Sequence, residues 1–135
     1  MTNREWQGAA AGTPDLADDG STTCVTRSTE PGVDTGSRAS CKSVWGAFDM
    51  IGNVNEWVGD WADRSVGCTS WPTALGSDSS CFGGPGSTSG DTLSLPGALI
   101  RGGGAFNGTD AGVFAVDSGT APSLRSPTTG FRCAR

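Results

Sequence analysis

Glycine fills 22 of the 135 positions, and it does so without a Gly-X-Y repeat. Inside a helix or strand a glycine costs backbone entropy, whereas in a turn it is at home. Such a chain is expected to form short elements joined by many turns, and the missing repeat excludes a collagen-like rod. Five Trp and five Phe oppose the other extreme, because disordered chains lack large apolar side chains. The expectation is one α+β domain over residues 1–135, with a single modest core.

Charge narrows the function classes. Nine Lys and Arg stand against fourteen Asp and Glu, a formal net charge of -5. Nucleic-acid binding needs a basic footprint, so no nucleic-acid partner is expected. No apolar run approaches the roughly 20 residues of a membrane span, so direct membrane insertion is not expected either. The opening Met1-Thr2-Asn3-Arg4-Glu5 does not read as a signal peptide. Histidine is absent, which removes the ordinary Ser-His-Asp relay and the commonest metal ligand.

Cys24, Cys41, Cys68, Cys81 and Cys133 have no CxxC spacing, which argues against a zinc ribbon or a thioredoxin-like site. Two local bridges fit, Cys24 with Cys41 and Cys68 with Cys81, each closing a Gly- and Ser-rich loop. Five reduced thiols in the cytoplasm are the alternative. With both bridges made, Cys133 is left over and is expected to be a small buried apolar residue.

Residues 2–11 read as the best helix. Thr2 caps it, Glu5 sits at the capping-box spacing, and Trp6, Ala9 and Ala10 share a face. Gly12, Thr13 and Pro14 stop it. The segment 15–40 reads as a long surface loop held by a bridge or an ion. Residues 54–61 read as a twisted strand. There Val54, Glu56, Val58 and Asp60 alternate against Asn55, Trp57, Gly59 and Trp61, and the second set is taken as the apolar face. Short strands are expected at 99–103, 112–116 and 130–135, with Gly83-Gly84-Pro85-Gly86 interrupting an irregular stretch.

Four places carry candidate chemistry. Asp49 and Glu56 offer two hard oxygens around a turn in which the carbonyls of Gly52 and Val54 can face inward, a set suited to structural Ca2+. Ordinary turn chemistry, with Glu56 paired to an arginine, is the alternative. Asp60 and Asp63 beside Trp57, Trp61 and Trp71 suit a carbohydrate platform, or simply a core. Gly102-Gly103-Gly104 lacks the Lys-Ser/Thr of a phosphate loop and reads as a tight turn. The aperiodic segment 104–129 reads as loops on a rigid frame, either a binding surface or solvated chain.

The motifs GAFDMIGNVNEWVGDW, IRGG and GFRCAR, with TNREWQGAAAGTPD ahead of them, resemble the formylglycine-generating-enzyme-like branch of the C-type lectin fold. The likeness covers roughly the whole chain, and the missing sequence before the helix implies an N-terminally truncated or minimised domain. Within that branch AGVFA, APS and GFRCAR are similar to the framework of variable proteins from diversity-generating retroelements. The resemblance implies a non-enzymatic domain whose hypervariable residues recognise a protein or cell-surface ligand, at a virion or microbial surface, with the cytoplasm as the alternative place.

The variable, ligand-binding region would be 104–129, with Gly104, Ala105, Phe106, Asn107, Asp110, Asp117, Ser118, Gly119, Thr120, Leu124, Arg125, Ser126, Pro127, Thr128 and Thr129 exposed on one face. Asn55 would join them, since the family has Trp between Val54 and Glu56. The resemblance also strengthens the Ca2+ site at Asp49, Gly52, Val54 and Glu56. It implies no catalytic residue. Formylglycine-generating enzymes need a reactive cysteine pair after the RGG turn, and residues 105–129 contain no Cys. The alternative function is a formylglycine-generating-enzyme-like oxidoreductase, or an inactive remnant of one.

Overall fold

The computed structural model describes residues 1–63, 68–81 and 96–134. The Gly83-Gly84-Pro85-Gly86 turn and Arg135 lie outside the described residues. Helix α1 spans Asn3–Ala9. Its capping box is complete: Thr2 Oγ1 accepts the Glu5 N–H at 3.2 Å, and Glu5 Oε2 accepts the Thr2 N–H at 2.7 Å. Such a cap satisfies two orphan donors of the first turn at once. The helix ends earlier than residue 11, and Thr13 Oγ1 bonds back to the Ala10 carbonyl at 2.8 Å. Trp6 and Ala10 are fully buried, as the shared face requires.

Six strands form one sheet in the order β2-β3-β5-β4-β1-β6. They are β1 (Asn55–Asp63), β2 (Thr69–Ser70), β3 (Ser79–Cys81), β4 (Pro96–Arg101), β5 (Val116–Asp117) and β6 (Thr129–Phe131). The β1–β4, β2–β3 and β4–β5 pairs are antiparallel, whereas β1–β6 and β3–β5 are parallel. The sheet is thus mixed. Parallel neighbours need long connections, and both parallel pairs join strands far apart in the chain, β1 with β6 and β3 with β5. The 112–116 strand is displaced to Val116–Asp117, because Gly112 N–H bonds to the Gly102 carbonyl and starts a turn.

The inward face of β1 is the reverse of the sequence expectation. Glu56 and Val58 are buried, whereas Trp61 is 61% exposed and Trp57 is half-buried. Burial of a carboxylate is affordable only with partners, and Glu56 has them, as described below. The β1–β4 register breaks between Trp57 and Trp61. There Gly59 N–H bonds to the Met1 carbonyl at 2.8 Å, and the Asp60 carboxylate accepts the Asn3 N–H. The break therefore ties the start of α1 to the middle of the sheet.

The main core gathers Trp6, Ala10, Met50, Val58, Leu99 and Val116. A second cluster joins Cys24, Cys41, Ile51 and Ala111, and in it Cys24 and Cys41 form a disulfide across 17 residues. This bridge fixes the long 15–40 loop. Cys68 is also disulfide-bonded. Cys133 is a free thiol and is exposed, contrary to the burial expected from its size. Replacing Cys24 and Cys41 together with Ser should lower stability by about 3 kcal/mol, the usual value for a loop of this length. Urea unfolding of the oxidised protein and the double variant measures it.

Candidate functional site

A buried ion pair underlies the site. Arg132, just beyond β6, places Nε 2.8 and 2.7 Å from the two oxygens of Glu56 on β1, and its Nη2 also bonds Glu56 Oε1. The same Nη2 donates to the carbonyls of Phe48 at 3.0 Å and Asp49 at 3.3 Å. Trp6 Nε1 donates to Glu56 Oε2 at 2.6 Å. One carboxylate and its guanidinium thus join the helix, β1, the 48–49 turn and the end of β6.

This geometry gives both carboxylates of the calcium expectation protein partners. Glu56 is satisfied by a guanidinium and an indole, while Asp49 Oδ2 accepts the Gly36 N–H at 2.7 Å. Burial raises the Asp49 carboxyl above its ordinary value, opposed by the Gly36 N–H and by the charges of Arg132 and Arg38. Among the described residues no group of three His, Cys, Asp or Glu is placed to hold a metal ion. Gly52 and Val54 belong to the same turn, and Gly52 N–H bonds to the Gly102 carbonyl at 3.2 Å. The turn is built on hydrogen bonds and Arg132, the alternative that the sequence left open.

Above this support, β4 runs into the Gly102-Gly103 turn. Gly102 has φ +83, and a Cβ there would lie 2.8 Å from the Met50 carbonyl oxygen. Gly103 has φ +72, and a Cβ there would lie 2.7 Å from Ala111 Cα. Both positions demand glycine on conformation and on space. The turn opens a cleft of about 50 Å³ whose walls include Asn55, Asn107, Asp110 and Asp117. Asn107 Oδ1 accepts the Gly104 N–H at 2.7 Å, and Asn55 Nδ2 donates to the Thr128 carbonyl at 3.4 Å. Burial raises the Asp117 carboxyl above its ordinary value, opposed by a bond from the Gly119 N–H. The cleft offers carboxamides and carboxyls, groups that pair with an extended backbone, and neither thiol nor imidazole.

The other expected binding residues do not share a uniformly exposed face. Gly104, Ala105 and Ser118 are buried. Gly119, Thr120, Ser126, Thr128 and Thr129 are half-buried, while Phe106, Leu124, Arg125 and Pro127 are exposed. Ala105 is held inside by two backbone bonds, its N–H to the Asn53 carbonyl and its carbonyl to the Ser28 N–H. Residues 104–129 include β5, and so they are partly framework. Of the carbohydrate platform, Trp61 is exposed, but Asp60 is engaged by Asn3 and Trp71 by the Phe114 carbonyl.

Sequence reasoning passed over Arg101 and Asp78. Alternation along β4 places Leu99 and Arg101 on one face, and both are buried; that period was the available signal. Asp78 is wholly buried, and its Oδ2 accepts the Phe114 N–H at 2.6 Å. The exposed Asp15 turns its carboxyl toward Asp78. Burial, then the charge and hydrogen bond of Asp78, raise the Asp15 carboxyl to about 6.

A family model described as the sulfatase-modifying factor enzyme 1-like domain, FGE-sulfatase, matches residues 1–135. The chain belongs to the FGE-sulfatase family. No curated protein and no solved structure matches the chain. The FGE-sulfatase match is to an enzyme family, and this overturns the reading as a non-enzymatic hypervariable display domain. It names neither a C-type lectin nor a retroelement variable protein. What stands is an α+β fold of the FGE-sulfatase family. The virion or microbial-surface location rested on the display reading and falls with it. Among the described residues no helix is long and apolar enough to cross a membrane.

Two outcomes test the site's electrostatics. Arg132→Met should cost about 3–5 kcal/mol, because it strands the Glu56 carboxylate, whereas Arg132→Met with Glu56→Met should recover part of the loss in urea unfolding. The folded value of Asp15 lies above its ordinary value of 3.8. Its contribution is therefore complete below about pH 4 and lost as pH rises through about 6. Asp15→Asn should raise the Tm relative to the parent more at about pH 7 than at about pH 4; a difference that stays flat with pH rejects the pairing.

Proposed function

We propose that this chain is a formylglycine-generating-enzyme-like oxidoreductase domain acting on a cysteine thiol in a polypeptide, a sulfatase by the family's own description. The observation that carries the reading is the family match across residues 1–135. The cleft beside the Gly102-Gly103 turn supports it, because its walls include the polar groups of Asn55, Asn107, Asp110 and Asp117, which can pair with peptide N–H and C=O groups. A peptide held there would lie against the rigid framework of β4 and β5, and fixed polar groups orient a substrate at little entropic cost.

One sequence fact favours a second reading within the same family. The resemblance places the reactive cysteine pair after the RGG turn, where residues 105–129 hold no Cys. The exposed Cys133 is the free thiol among the described residues. An inactive remnant would keep the fold and the cleft without the oxidation.

Incubation in air-saturated buffer with a cysteine peptide of sulfatase sequence separates the two. The expected outcome is conversion of the peptide's cysteine to an aldehyde, captured by an aminooxy probe and read by mass spectrometry. Folded protein that yields no aldehyde, with a sulfatase-converting member of the family as positive control, rejects the oxidoreductase and leaves the remnant.

A further inference from the structure

Residues 14–17 form a short strap between α1 and Cys24. Both ends of the strap are fixed. Before it, the Thr13 N–H bonds to the Ala10 carbonyl at 3.0 Å. At its far end the Ala17 carbonyl accepts from Thr23 Oγ1 at 3.0 Å. The next residue, Asp18, takes the Thr26 and Arg27 N–H groups on its carboxylate at 3.0 and 2.9 Å. Among the described residues the backbone of Asp15 and Leu16 makes no hydrogen bond, and Leu16 is 56% exposed. The middle of the strap therefore rests on one group, the Asp15 carboxyl.

That carboxyl meets Asp78, which is wholly buried. Asp78 is pinned where it stands. A Cβ on Gly112 would lie 2.1 Å from both of its oxygens, and Oδ2 holds the Phe114 N–H at 2.6 Å. Its Oδ1 accepts from no N–H or hydroxyl, an expensive state for a buried acceptor. The space over Gly76 brings the two acids together. A Cβ there would lie 2.7 Å from Asp78 Oδ1 and 3.1 Å from Asp15 Oδ2. A carboxylate only accepts, so the pair can bond only when Asp15 is protonated. Two ionised carboxylates at this separation repel.

The surrounding charges decide which acid holds the proton. From β4 the Arg101 guanidinium acts on Asp78 and favours its ionised form. The 112–114 turn faces Asp78 with backbone N–H groups only. Asp15, Leu16 and Ala17 wall a cavity of about 280 Å³, in which Asp18 and Arg27 are the other charged groups. Burial, then the charge and hydrogen bond of Asp78, raise the Asp15 carboxyl to about 6. We propose that Asp15 and Asp78 share one proton as the latch of the 14–17 strap, closed while the proton is held and open once it is lost. Opening carries the strap away from Gly76 and uncovers the Asp78 carboxylate. Because the Asp15 value is raised, the closed form prevails below about pH 6 and the open form above it.

The test is NMR on the whole chain. The carboxyl carbon shift of Asp15 reads the proton, and amide order parameters of residues 15–17 read the strap. Asp15 should titrate with a midpoint of about 6. The order parameters should fall from about 0.85 at about pH 5 toward about 0.6 at about pH 7.5. In Asp15→Asn, whose amide donates to Asp78 at either pH, the strap should stay rigid at both. In Asp15→Ala it should be loose at both. The amides of β1 and β4 are the internal control and should not change. A strap equally ordered at both pH values, an Asp15 midpoint near 3.8, the same loss in Asp15→Asn, a rigid strap in Asp15→Ala, or a loss shared by β1 and β4 overturns the proposal.

Discussion

The structure depends on one carboxylate being buried. Glu56 sits at 5% exposure on β1, an interior strand of the sheet, where an unpaired charge would be prohibitive. Its neutralisation needs Arg132 from the far end of the described chain, and its remaining lone pairs need the Trp6 indole. Trp6 can deliver that N–H only if α1 is held against the sheet. The capping box, the Met1–Gly59 contact and the Asn3–Asp60 contact do this. A hydrocarbon at position 56 would pack the core as well, but it would not select which segments meet there. The ion pair acts here as a register mark for three elements.

How much of this the sequence disclosed follows from the range of each signal. The α1 capping box was legible because the Thr2–Glu5 spacing is local chemistry. The strand at 55–63 was legible because alternation is local too, yet its facing was misread. Five of its positions carry Glu, Asp or Trp, and hydropathy assigns these by type. Trp61 went outside and Glu56 inside because distant residues, Arg132 and Trp6, reversed the ordinary cost. The same argument covers the 49–56 turn: two carboxylates seven positions apart suggest a cation, and an arginine partner for Glu56 was the open alternative, but spacing alone could not say that the arginine is Arg132. The Gly102-Gly103 turn was correctly read as close backbone approach. What approaches it, Met50 and Ala111, was not foreseeable from spacing. Cys133 was misplaced because size is a poor guide to burial near a chain end.

The family assignment and the site chemistry inform different things. The RGG turn, the Trp6–Glu56–Arg132 lock and the Cys24–Cys41 bridge explain why the fold persists with so little regular structure. A fold that rests on such contacts leaves its cleft residues free to differ, and function must be read from those residues. In this chain they are Asn, Asp and Gly, with the exposed thiol of Cys133 as the reactive group nearest the lock.

The lock has a consequence for how the protein is made. Glu56 and Arg132 lie 76 residues apart, and β6 joins β1 as a parallel edge strand. Synthesis runs from the N-terminus, so Glu56 is made 76 residues ahead of Arg132. A partly made sheet would have to bury that carboxylate without its guanidinium, and so it stays open. Closure waits for Arg132 to leave the ribosome, which makes this a domain that closes all together rather than in the order its strands appear.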